Sequence, residues 1–254
     1  MNWSDDLNAC AAIVERSDPL RFRTAMMAPV AQRGALFALY AFNVEVSRAP
    51  WVTQEAMIAE MRLQWWRDVL EEIAGGGPVR RHEVATPLAQ VLSASQAQML
   101  DTLVAARRWD IYREAFEDAA DLARYLDQTA GHLMVVAAQF LGQAEEAAVR
   151  HAARAAGLGA WLRAIPALEA AGRVPLLDGT PDGVAALAQG GLEALVLARR
   201  DRGQVVRACT PALLMATAAE PALKCAVRDP QAVVEGRLPE PDLRFTLRAA
   251  TGRW

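Results

Sequence analysis

A chain of 254 residues that is 53% apolar and 22% charged is long enough for one large domain or two small ones, and its balance is that of a globular protein. A formal charge of −3 and a pI near 5.7 argue against a nucleic-acid binder that works by phosphate neutralisation. The three cysteines, Cys10, Cys209 and Cys225, are odd in number and far apart. They offer neither metal spacing nor a disulfide framework, and point to a reducing cytosol.

The acidic N-terminus, MNWSDDLNAC, lacks a signal-peptide pattern. Residues 4–16 predict a first helix, with Ser4 as N-cap, Asp5 and Asp6 in the first turn, and Leu7, Ala11 and Val14 at helical spacing. Asp18-Pro19 breaks it, and a short helix through Phe22 and Met26 follows. Pro29 suits the first turn of a helix ending near Arg48, which Pro50 closes. On that helix Leu36, Tyr40, Asn43 and Ser47 share a face, so polar groups among apolar ones could line a cavity or sit satisfied in a core. Thr53 is the expected N-cap of the next helix. It carries the stripe Ile58, Met61, Trp65, Val69 and Ile73 beside a row of Arg62, Trp66 and Leu70.

Gly75-Gly76-Gly77-Pro78 marks a surface loop. Thr86-Pro87 restarts a helix, and another begins at Ser93 or Ser95 and carries Met99, Leu103, Ala106 and Asp110. Residues 118–142 form the cleanest amphipathic segment, through Leu122, Leu126, Thr129, Leu133, Val136 and Phe140, and Gly142 ends it. Its run from His132 to Leu141 is about half the length a spanning helix needs, so any membrane association is expected to be peripheral. Ala148, Ala152, Ala155, Gly159 and Leu162 make a small-residue stripe suited to close helix approach, and Pro166 should kink or end that helix. The loop from Gly172 to Gly183 is irregular, and Thr180-Pro181 and Thr210-Pro211 start further helices. The stretch from Pro230 to Trp254 holds one short helix. No period-two run or Asn-Gly hairpin turn occurs. The fold should be all-α, with about nine to eleven helices of ordinary length.

His82, His132 and His151 show no metal-ligand spacing. The GGGPVRR segment lacks the strand and lysine of a phosphate loop, and there is no G-x-S-x-G elbow. Glu117, Asp118 and Asp121 sit at a helix start, where carboxylates serve as caps. General motifs give no catalytic constellation.

LFALYAFNVEVSRAP followed by RLQWWRDVLE resembles the opening of the squalene/phytoene synthase family. The resemblance continues through TPLAQVL (86–92), ARRWDIY (106–112) and DLARYLDQTAGHLMVVAAQFLG (121–142), and is strongest over residues 18–178. It implies one domain over residues 1–254, a single isoprenoid-synthase-like bundle around a central cavity, with residues 180–254 part of it. Family enzymes join two prenyl diphosphates head to head, using Mg²⁺ held by two aspartate clusters. Magnesium needs hard oxygen ligands, and the leaving diphosphate needs its charge neutralised. Aligned on Tyr40-Ala41-Phe42, the first cluster falls on Ser47, Arg48, Ala49, Pro50 and Trp51. The second falls near Leu168 and Gly172, with Glu169 the only acid. Arg48 reverses the charge at the first cluster, and one carboxylate cannot replace two clusters.

AFNVE (41–45), RLQWW (62–66) and LRAIP (162–166) resemble the family's non-catalytic branch, which serves complex I assembly. That resemblance implies no catalytic residue, no cofactor, a cytoplasmic location at the inner membrane face, and a protein partner such as complex I subunits. It also implies a remnant cavity lined by Tyr40, Asn43, Ser47, Arg48, Gln64, Arg67, Asp110, Arg163 and Arg173. Two alternatives stay open. One is a prenyl transferase with an altered site, requiring Mg²⁺ or binding diphosphate through Arg48, Arg67 and Arg173. The other is a carrier of an isoprenoid or other lipid.

Overall fold

Capping side chains set many of the helix starts in this computed structural model, which describes residues 4–53, 55–112, 114–241 and 254. Ser4 accepts the Leu7 N–H at the head of α1 (Asp5–Ser17), and Asp18 accepts the Arg21 N–H at the head of α2 (Pro19–Met27). Helices α3 (Val30–Arg48) and α4 (Ala56–Gly75) follow, then a single turn, α5 (Ala85–Ala89). Ser93 and Gln96 close a reciprocal capping box on α6 (Ala94–Ala106). A 3₁₀ turn over Arg107–Asp110 continues it, so Asp110 lies beyond the α-helix on which the sequence placed it. These elements belong to one compact unit, Met1–Tyr112; Arg113–Trp254 form a second.

In the first unit α3 packs against α1, α2, α4 and α5, and α4 lies along α6. The strings AFNVE and RLQWW meet here. Phe42 and Trp66 are both buried and touch edge to face at 5.2 Å. The predicted stripe on α4 needs correction. Ile58 and Met61 are 39% and 66% exposed, and the buried face is Ala59, Leu63, Trp66, Leu70 and Ile73, with Val69 beside it. The two candidate rows differ by one position, and the contact with Phe42 selects the row through Trp66. Thr53 does not cap α4 either; its Oγ1 accepts the N–H of Glu55, the residue that occupies the cap position.

The second unit holds α7 (Ala119–Leu126), α8 (His132–Leu141), α9 (Glu146–Ala170), α10 (Pro181–Arg200), α11 (Thr210–Arg228) and α12 (Gln231–Val234). Asp118 caps α7 by accepting the Asp121 N–H at 2.8 Å, so the acidic residues there do serve as caps. The segment predicted as one helix over 118–142 is interrupted by a π turn over Asp127–Gly131 before α8 resumes. Helix α9 runs through the middle of this unit, in contact with α10, α11 and the π turn. Its small residues explain the fit. A Cβ on Gly159 would come within 2.5 Å of the Ala219 Cβ on α11, and one on Gly157 within 3.0 Å of the Ala130 Cβ in the π turn.

Pro166 lies inside α9, which continues to Ala170. The lost hydrogen bond and ring clash are outweighed by burial on both sides of it, at Ile165 and Leu168. Gly172, at φ 75°, stops the helix instead, and the Arg173 N–H bonds back to the Leu168 carbonyl at 2.9 Å. The described residues contain twelve α-helices, two of them of five residues or fewer, and a single isolated β-bridge between Ala144 and Val205. The all-α expectation holds. Residues 242–253 of the predicted C-terminal stretch lie outside the described residues.

Candidate functional site

Seven of the nine residues expected to line a remnant cavity lie in the first unit. Each has a neighbour outside that set. Tyr40 is buried on α3 with the Arg21 guanidinium 5.8 Å over its ring, and burial pushes its hydroxyl pKa up to about 12. Asn43 is buried on the same face. Ser47 Oγ donates to the Val44 carbonyl at 3.1 Å, and Arg48, at the exposed end of α3, faces Glu45 at 3.9 Å. Gln64 is exposed and donates to Asp68. Arg67 grips Asp101 of α6 with Nε and Nη2, at 2.7 and 3.0 Å, which raises the guanidinium pKa. Asp110 is buried and accepts from Arg107 at 3.1 Å. His82, beside these helices, is held between the Trp65 and Trp66 rings and accepts the Val84 N–H on Nδ1.

The other two expected residues belong to the second unit. Arg163, on α9, donates to the Gly159 and Pro239 carbonyls, and burial lowers its pKa. Arg173 is half-buried just past the end of α9. In the same unit Tyr125 joins Phe116 and Trp161 in a three-ring cluster with centroids 5.5 to 5.7 Å apart. The Trp161 Nε1 donates to the Pro175 carbonyl.

These positions do not fit a magnesium–diphosphate site. The first cluster position offers a hydroxyl bonded to its own helix, an arginine, and an exposed Trp51. The second offers buried Leu168, exposed Glu169 and the helix-stopping Gly172. Magnesium is held through carboxylates with waters and phosphate oxygens, and neither position supplies a carboxylate pair. Among the described residues no three His, Cys, Asp or Glu side chains stand together as a metal site.

The second unit also contains a cleft of about 740 Å³ that the sequence did not reveal, walled by α7, α9, α10 and the loop before α10. Leucines from all four segments face it, among them Leu122, Leu158, Leu177 and Leu187. Its rim carries Arg124, Arg150 and Arg154 with Asp127 and Asp178. The π turn sets Asp127 against Arg150, whose Nη1 reaches Oδ1 at 2.7 Å while Nε bonds Glu146. Arg124 pairs with Asp121. Hydrogen bonding from the Thr180 side chain, and then from its N–H at 2.9 Å, lowers the Asp178 pKa. The only trace of the cleft in the sequence is the row Arg150, Arg154 and Leu158, on a different face of α9 from the small-residue stripe.

The sequence pattern of squalene/phytoene synthases matches residues 14–214. Among curated proteins, the chain is 31% identical over 166 residues to the Drosophila melanogaster homolog of NADH dehydrogenase (ubiquinone) complex I assembly factor 6, covering 62% of this chain and 50% of that one. It is 26% identical over 169 residues to the Homo sapiens assembly factor 6, covering 65% and 50%. The chain thus spans about half the length of the curated relatives it matches. Among solved structures, a dehydrosqualene synthase with bound ligand superposes with a TM-score of 0.76 at 14% identity, covering 97% of this chain and 95% of the other. A squalene synthase from Alicyclobacillus acidocaldarius gives 0.75 at 15% identity, covering 92% and 95%. At such identity the likeness is one of fold.

Proposed function

The chain belongs to the squalene/phytoene synthase family, and on that premise we propose that it is a non-catalytic factor in the assembly of respiratory complex I. The observation that carries this reading is a combination. Its curated relatives are named as complex I assembly factors, while Ser47, Arg48 and Trp51, and then Leu168 and Gly172, stand where family enzymes keep magnesium-binding aspartates. Without those carboxylates no Mg²⁺ would bridge a leaving diphosphate, so the reading includes no metal cofactor.

The partner would be a complex I subunit or its assembly intermediate, met in the cytoplasm at the inner membrane face. No helix among the described residues is long and apolar enough to cross a membrane.

Deleting the gene and measuring NADH:quinone oxidoreductase activity and complex I subunit levels in isolated membranes tests this reading. Activity should fall and return on complementation with the intact gene. Normal activity and normal subunit levels in the deletion strain would overturn it. Incubating the purified chain with farnesyl or geranylgeranyl diphosphate and Mg²⁺ tests the non-catalytic half. Release of pyrophosphate with a head-to-head product would overturn that half.

A further inference from the structure

We propose that the cleft between α7, α9 and α10 is a binding site for a single-chain anionic amphiphile, a hydrocarbon tail ending in a carboxylate or phosphate. Its volume, about 740 Å³, lies within the range of small-molecule pockets, which are mostly apolar with a few placed polar groups. Leu122 and Leu126 of α7, Leu158 of α9 and Leu187 of α10 give the tail an apolar wall. Gly190 keeps the α10 side open, since a Cβ there would meet no atom within 4 Å. Burying a tail on such a surface is favourable by roughly 25 cal/mol per Å².

The head group is assigned by charge. Arg124 is paired with Asp121, and Arg150 with Asp127 and Glu146. Arg154 is exposed on the same rim and has no ion pair among the described residues. It lies one helical turn from Arg150, whose guanidinium is held by Asp127 and Glu146. His151 lines the same cleft. Its Nδ1 is buried without a hydrogen-bond partner. The π turn adds a separate pointer. Such turns recur at functional sites, and this one sets Asp127 on Arg150 while leaving Arg154 without a carboxylate. A neutral tail would fill the leucine wall and leave Arg154 unused. An inorganic anion would use Arg154 and leave the wall wet.

The test is a titration of the purified full chain with a fluorescent polyene fatty acid below its micelle concentration, followed by displacement. Saturable binding is expected, reversed by palmitate and by hexadecyl phosphate, which separate the two head groups. Hexadecanol should compete at least tenfold less well, and inorganic phosphate should not displace. Gly190→Leu, which fills the cleft where nothing is displaced, should weaken binding at least tenfold with helicity and unfolding midpoint no lower than the native chain's. Arg154→Ala should weaken palmitate by about tenfold and leave hexadecanol unaltered, with Arg154→Lys recovering part of the loss. Non-saturable binding, full displacement by inorganic phosphate, or a Gly190→Leu variant that binds as well as the native chain would overturn the proposal. None of these outcomes depends on the complex I assay.

Discussion

Around α4 the half-buried arginines are closed onto carboxylates and only the exposed Arg62 has no ion pair among the described residues, whereas around the cleft of the second unit the open cation borders an apolar wall. Arg67 holds Asp101 with two donors, Arg80 holds Glu72 through side chain and backbone, and Arg107 holds the buried Asp110. A ligand anion arriving there would have to displace a carboxylate already in good geometry. Arg154 offers a cation with no such competitor among the described residues, next to an apolar wall. In the first unit Arg67 and Asp110 thus already have partners of opposite charge, whereas Arg154 in the second unit has none among the described residues.

Four measurements would break or sharpen this contrast. If the α3–α4 contact is a packed core, Phe42→Ala should cost about 3–5 kcal/mol in chemical denaturation. A loss below about 1 kcal/mol would mean that the region relaxes around a void. Next, Gly159→Leu should cost about 1–3 kcal/mol or more, because its Cβ would strike Ala219, while Gly190→Leu, with no clash and a better helix former, should cost nothing and stabilise by up to about 1 kcal/mol. Equal losses at the two glycines would erase the distinction between packed face and cleft.

The third uses one buried thiol from each unit. Burial pushes Cys10 up to about 12 and Cys209 up to about 11, from an ordinary 9.0. Both are protonated in folded and unfolded chains below pH 9, so they add no pH dependence there. Above pH 9 the unfolded chain loses these protons first, and stability falls as pH rises. The slope should approach about 1.4 kcal/mol per pH unit for each thiol, through both thiols to about pH 11 and through Cys10 alone to about pH 12. Replacing Cys10 by Ala should make the fall shallower; an unchanged slope would contradict its burial. Smallest, Asp101→Asn should cost about 0.5–1 kcal/mol, since the Arg67 pair is bidentate but about one-third exposed, and the cost should shrink in high salt. No change at low salt would show that Arg67 is not held by Asp101.

Local chemistry made much of the fold legible. Ser4, Ser93 and Thr180 cap helices whose starts were expected there, because a side-chain oxygen that bonds an N–H two or three residues on needs nothing from the rest of the chain. Gly142 and the small-residue stripe were readable for a similar reason, as sterics at one position constrain what can lie against it.

Helix faces and breaks were less secure. Rows through Trp65 and Trp66 were both amphipathic, and only contact with Phe42 decided which became core. Pro166 reads as a helix stop until the packing of α9 against α10 and α11 outweighs it. The cleft left almost no trace in the sequence beyond the row Arg150, Arg154 and Leu158. Its leucines come from segments scattered between residues 119 and 190, each of which reads as ordinary core. The sequence by itself determined an all-α chain of a known family. Tertiary packing decided which charges would be closed onto a partner and which would stay open, because that depends on helices brought together from distant parts of the chain.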